Sequence, residues 1–220
     1  MTTEPSDVEG ELRDQVKVWS QVGSARDFEE GALALTPADL FLVEHDLIRR
    51  VITVLDRESE RIGEGRDVDP VFIDRMVDFI YTYGERVHHG KEEEVLFREL
   101  DSKPLSPKHR QMMESLAREH VEMRHLAEDL MEAREKYAEG NEEALQTVED
   151  TIDRLSDLYP GHFRTEKETF FPAARSYLDD SEEEVILEAM RGHDRAMIHE
   201  KYGALVEDLE AVAETWQLSE

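Results

Sequence analysis

The sequence predicts an all-α fold, on three observations. Helix start signals recur at Thr36-Pro37, Asp69-Pro70 and Ser106-Pro107. The stretch after each repeats apolar residues at helical intervals, and no stretch alternates apolar and polar residues as a half-buried strand would. At 220 residues the chain is long enough to bury a full core in one compact domain.

Taken in order, residues 1–35 read as an N-terminal extension packed on the main body. Val8, Leu12, Val16 and Trp19 line one face of a short helix there, and a connector follows from Gly23 to Thr36. Residues 36–220 form the bundle. Thr36-Pro37-Ala38-Asp39 supplies a capping hydroxyl, a proline at the first helical position and an acid in the first turn. The first helix then carries Phe41, Ile48, Ile52 and Leu55 on one face and stops at Gly63-Glu64-Gly65. A second helix starts at Asp69-Pro70 and presents Ile73, Val77, Ile80, Tyr81 and Gly84 on one face before reaching HHGKEEEVLF, residues 88–97. The segment Asp101 to Pro107 ends it. A third helix runs from Ser106-Pro107 to Gly140, and a fourth begins near Asn141 and passes Leu155 and Leu158, with Pro160 expected to interrupt it. Ser181-Glu182-Glu183-Glu184 reads as the capping box of a fifth, C-terminal helix ending near Trp216.

Composition narrows the function classes. With Lys+Arg 26 against Asp+Glu 54, the net charge of -28 repels nucleic-acid phosphates and anionic membranes. The absence of cysteine excludes disulfides, thiolate ligands and a cysteine nucleophile, so any metal must be held by His and carboxylate. The first ten residues lack a basic start and an apolar run, and no window approaches the ~20 apolar residues of a membrane span. A cytoplasmic protein is the expectation.

The chemistry lies in an internal repeat. An offset of about 74 residues sets HHGKEEEVLF over HFRTEKETFF, residues 162–171, with His, Glu, Glu and Phe coinciding. His88 pairs with Glu92 and His162 with Glu166, each four residues apart, so imidazole and carboxylate stand one turn apart on one helix face. Nearly the same offset superposes Glu44-His45 and Arg49 on Glu119-His120 and Arg124. Two similar helix pairs, packed as a four-helix bundle, would bring His45, His88, Glu92, His120, His162 and Glu166 together around one or two ions.

In so acidic a chain a single His-x-x-x-Glu is weak; its recurrence in helical phase is what makes the set specific. By α-helical phase His88 points inward and His89 outward, and His89 with Glu93 reads as a chance pair. Glutamates of the EEE and SEEE runs read as solvated, Lys91 as a surface charge, Arg49 and Arg124 as partners of local acids, and Phe97, Phe170 and Phe171 as core. His109 reads as exposed; His125, His193 and His199 read as ordinary polar residues, with Gly192-His193-Asp194 echoing Glu44-His45-Asp46. A rival di-iron pattern through Glu85-x-x-His88 and Glu122-x-x-His125 ranks lower. Its motifs fall on consecutive helices, and Glu85 lies off the apolar face.

These features together resemble the hemerythrin-like, or HHE cation-binding, family over about residues 38–212. The carriers are Glu44-His45, HHGKEEEVLF, Glu119-His120 with Arg124, YPGHFRTEKETFFP and the C-terminal HEKYGALVEDL. The resemblance implies an up-and-down four-helix bundle with a non-haem di-iron centre, oxo- or hydroxo-bridged, on the same six residues. Oxygen-carrying members show His-x-x-x-His on the third helix and an Asp after the fourth-helix His. Here Arg124 and Glu166 stand at those places, which argues against reversible oxygen carriage. Relatives with four His and two Glu include sensors of iron or oxygen and proteins that protect iron centres from nitrosative stress. The implied function is binding or sensing of O2, NO, peroxide or iron. An enzyme that decomposes peroxide or reduces a small oxidant, or an iron store or donor, is the alternative. Nitrogen and carboxylate donors suit Fe, Mn and Zn alike.

Overall fold

The computed structural model describes residues 35–65 and 70–196. The short N-terminal helix, the capping Asp69, His199 and the end at Trp216 lie outside them. Helix α1 is Pro37–Gly63, α2 runs over 70–101, α3 is Pro107–Ala138, α4 spans 144–175 and α5 is helical over 180–196; no strand occurs among the described residues.

Local chemistry sets these ends. The Thr36 hydroxyl accepts the Asp39 amide while the Asp39 carboxylate accepts the Thr36 amide at 2.8 Å, a complete capping box. Ser106 caps α3 by accepting the His109 amide at 3.2 Å, ahead of Pro107. Two expectations are corrected. The cap of α5 is Asp179, two residues before Ser181: Asp179 Oδ1 accepts the Glu182 amide, and the Glu182 carboxylate accepts the Asp179 amide. And α4 runs unbroken through Pro160. Burial of Tyr159, His162 and Phe163 around the exposed ring holds the helix together despite the missing N–H.

Short connections join antiparallel neighbours, and α1 packs against both α2 and α4 while α3 packs against the same two. That closes an up-and-down four-helix bundle. The interior holds two apolar clusters. One gathers Ile48, Ile52, Leu55, Leu130, Val148, Ile152 and Leu155; the other gathers Phe41, Leu96, Leu100, Leu116 and Phe170 with Ile186, Leu187 and Met190 of α5. The fifth helix thus covers one end of the bundle. Between the clusters lies a buried layer of His and Glu. No helix among the described residues is long and apolar enough to cross a membrane.

Stretches of α2 and α4 depart from α-helical winding. Phe79–His89, Glu92–Phe97 and Glu166–Phe170 are wound as π-helix, and the amides of Gly90 and Phe171 reach back five residues to the carbonyls of Glu85 and Glu166. Two of the three stretches begin on the paired glutamates of the repeat. Wider turns of this kind are rare and concentrate at functional sites.

Candidate metal centre

All four helices of the bundle contribute to the layer between the two cores. His45 comes from α1, His88 and Glu92 from α2, His120 from α3, His162 and Glu166 from α4, and each is at most 2% exposed. His45 Nε2 lies 3.2 Å from Glu166 Oε2, and His162 Nε2 lies 3.2 Å from Glu166 Oε1. Glu92 Oε2 is 3.3 Å from His120 Nε2 and 3.9 Å from His88 Nε2. The six residues singled out from the repeat are therefore neighbours in one buried space. They fall in two overlapping groups, His45, His88, Glu92, Glu166 and His89, Glu92, His120, His162, whose potential ligand atoms lie within 4.8 Å of one another. Glu92 belongs to both.

His89 corrects the phase argument. It is fully buried, stacked on His120 with ring centroids 4.1 Å apart, and inside the second group. The angular step between successive residues shrinks in the π-wound stretch, so two consecutive side chains share the inward face that α-helical phase grants to one. Glu85 is carried in by the same winding: it is 2% exposed rather than off the face, with an oxygen 3.1 Å from His89 Nδ1 and another 3.5 Å from the Tyr159 hydroxyl. Mid-helix glycines were the available signal, since glycine weakens a helix interior and marks close approach. A Cβ at Gly84 would stand 3.1 Å from the Tyr159 hydroxyl, and one at Gly90 3.0 Å from His193 Nε2.

Outer carboxylates hold the imidazoles from behind. His88 Nδ1 meets Glu44 at 2.9 Å, His120 Nδ1 meets Glu93 at 3.0 Å, and His162 Nδ1 meets Glu119 at 2.8 Å. This arrangement fixes ring orientation and leaves each Nε2 for the centre. Arg124 reaches Glu93 at 3.0 Å, as expected of a partner of local acids. Lys91 is not a surface charge: it is 1% exposed, bonded to Glu44, and 2.7 Å from Asp194 of α5. A chain of contacts therefore runs from α5 through Lys91 and Glu44 to His88. His109 is half-buried and hydrogen-bonded to Tyr177 rather than exposed. His125 is exposed, and His193 accepts no role in the layer, its Nε2 sitting 2.9 Å from the Arg86 carbonyl.

Electrostatics in the layer are divided. Burial, reinforced by the nearby Glu166 charge, pushes Glu92 up to about 8. Burial acts on Glu166 in the same sense, but His162, His120 and His45 outweigh it and hold that carboxyl well below the usual range. Burial disfavours the imidazolium of His120 and His162, yet the surrounding carboxylates prevail: His120 is raised well above its ordinary value and His162 to about 9. Burial dominates at His88, lowered to about 4, and at His89, lowered far. Burial also lifts Glu85 to about 7, whereas Lys91 and then His88 overcome it at Glu44 and hold that carboxyl at about 2.

The donor set can hold a metal. His45 Nε2, His88 Nε2, both oxygens of Glu92 and both of Glu166 are buried without a hydrogen-bond partner. Unpaired buried polar atoms are costly, about 1–3 kcal/mol each, so six of them converging on one space fit a site built for a cation. Imidazole and carboxylate suit a first-row transition ion. A cleft of about 280 Å³ between α1 and α4 reaches His45, lined among others by Arg49, Phe163, Arg164 and Lys167.

The sequence matches the hemerythrin HHE cation-binding domain over residues 36–174 and again, in an overlapping register, over 116–220. The second register begins inside α3, in keeping with the similarity of the two helix pairs. No curated protein and no solved structure gave a significant match. The match over 36–174 covers more than half of the sequence, and the chain belongs to the hemerythrin HHE cation-binding domain family.

Proposed function

We propose that the chain is a non-haem di-iron protein that takes up or senses a small ligand such as dioxygen, nitric oxide or peroxide, with His45, His88, Glu92, His120, His162 and Glu166 as metal ligands. The observation that carries this reading is the convergence of buried, unpartnered ring nitrogens and carboxylate oxygens in two groups sharing Glu92. Glu92, within reach of both groups, would put negative charge beside each of two neighbouring cations. Iron held by these residues would supply a redox-active Lewis acid.

The chain's own residues do the rest. Glu44, Glu93 and Glu119 orient His88, His120 and His162, and so set the direction of each Nε2 lone pair. Met113, Leu116, Met123, Leu155 and Phe163, each buried, keep bulk water from the layer. The cleft at His45 offers the approach. Its volume of about 280 Å³ admits a molecule of a few atoms. In a chain of net charge -28, Arg49, Arg164 and Lys167 at that opening favour a neutral or anionic visitor.

The test is metal analysis and optical spectroscopy of protein loaded anaerobically with ferrous iron, followed by addition of dioxygen, nitric oxide or hydrogen peroxide. Two irons per chain and a lasting spectral change with one of these ligands are expected. Sustained oxygen release from peroxide would replace binding by catalysis, and transfer of iron to an acceptor would make the protein a donor. His88→Ala and His162→Ala variants that kept their full metal content would overturn the ligand assignment.

A further inference from the structure

We propose that His89 is a seventh metal ligand, a third imidazole on the ion held by His120 and His162, positioned by Glu85; the inference rests on the two-ion reading above.

Four observations support it. His89 is fully buried, and neither ring nitrogen has a hydrogen-bond partner. A ring nitrogen of His89 falls within 4.8 Å of the ligand atoms of Glu92, His120 and His162. Its Nδ1 stands 3.1 Å from Glu85 Oε2, off the line of a hydrogen bond, and that oxygen is likewise buried without a hydrogen-bond partner. Three neighbouring rings already hold a carboxylate at Nδ1, His88 with Glu44, His120 with Glu93 and His162 with Glu119, and a His89 Nδ1 turned onto Glu85 would complete the same pattern with Nε2 free.

A packing role accounts poorly for the residue. An apolar ring would fill the same volume against His120 without stranding two polar nitrogens away from water. The π-wound stretch Phe79–His89, unfavourable in itself, ends on this residue and is what turns it inward. Arg124, one turn beyond His120, does not enter the layer. Its guanidinium lies 3.0 Å from Glu93 and 3.9 Å from Glu85, and it braces the two carboxylates behind His120 and His89. The two groups then hold three imidazoles and two imidazoles, with Glu92 between them.

The test compares metal content and affinity of the wild type, His89→Ala and His162→Ala, loaded with ferrous iron or cobalt(II). His89→Ala is expected to keep one ion and to lose the other or bind it at least tenfold more weakly. Full occupancy at wild-type affinity in His89→Ala, with loss in His162→Ala, overturns the role of His89 and leaves the centre standing. Retention in both variants removes the centre itself. A second readout needs no variant to fold: in the cobalt-loaded wild type, five paramagnetically shifted imidazole spin systems are expected, and four would refute the proposal.

Discussion

At the scale of single residues, the carboxylates behind the histidines decide how the centre is tuned. Glu119 is half-exposed, yet its oxygen at 2.8 Å fixes the ring of His162. Glu119→Gln keeps the shape and removes the charge, so metal affinity is expected to fall by about 10- to 100-fold with the fold intact; titration against a competing chelator, with circular dichroism as control, measures this. The same exchange at Glu122, exposed and paired with Arg154 at 3.1 Å, is expected to leave affinity unchanged. In the repeat, His88, Glu92, His162 and Glu166 were legible because two copies agree in residue and phase. Glu85 and His89 were not, because their burial depends on a local change of winding that leaves no periodic trace in hydropathy, and Lys91 was not, because its acidic partners come from two other helices.

At the scale of elements, α2 joins the centre to α5. Lys91 is buried between Glu44 and Asp194, so a charge is satisfied only where two helices meet the second. Lys91→Met strands those two carboxylates and is expected to lower stability by roughly 3 kcal/mol, read as a drop in the urea midpoint at pH 7. Glu44 keeps its bond to His88 but loses the cation that anchors its other oxygen, so the ring is held less firmly and metal affinity is expected to fall in the same variant. An unchanged midpoint would show that solvent, not Lys91, balances Glu44. Helix α4 makes a different point. Pro160 was legible as a breaker from local rules, but its neighbours Tyr159, His162 and Phe163 are buried in the bundle, and tertiary burial outweighs one missing hydrogen bond. The start of α5 shows the smaller error of local reading: Asp179 and Ser181 are both good caps, and the reciprocal bond between Asp179 and Glu182 selects the first.

At the scale of the whole molecule, a polar layer separates two apolar cores, so stability and metal binding are linked. Without an ion, His162 titrates at about 9 and His120 higher than its ordinary value, and both supply positive charge to the carboxylates. A histidine raised on folding contributes stability that is complete below its unfolded value of about 6.5 and is lost as pH climbs through the folded value of about 9. Glu92, raised to about 8, acts in the same direction as its buried carboxyl ionises. The depressed Glu166 changes protonation below the ordinary carboxylate range and is silent in this window. The lowered His88 and His89 oppose the trend near their unfolded value of about 6.5, but His120, His162, Glu92 and Glu85, all raised, outnumber them. Metal-free protein is therefore expected to melt at lower temperature at pH 8.5 than at pH 6. Metal binding expels the protons, so the gain in melting temperature on loading should be larger at pH 8.5. Thermal melts of metal-free and loaded protein at the two pH values check both signs; equal gains would remove the protonated histidines from the account.

The sequence by itself determined the all-α class, the caps at Thr36 and Ser106, and the six residues of the repeat that meet in the buried layer, because each rests on short-range chemistry or on a repeat that records the same face twice. Only the tertiary structure decided that His89, Glu85 and Lys91 turn inward. Glu85 and His89 follow the wide winding of α2, which is stable only when neighbouring helices fill the space it opens, and Lys91 follows its ion pairs with Glu44 of α1 and Asp194 of α5.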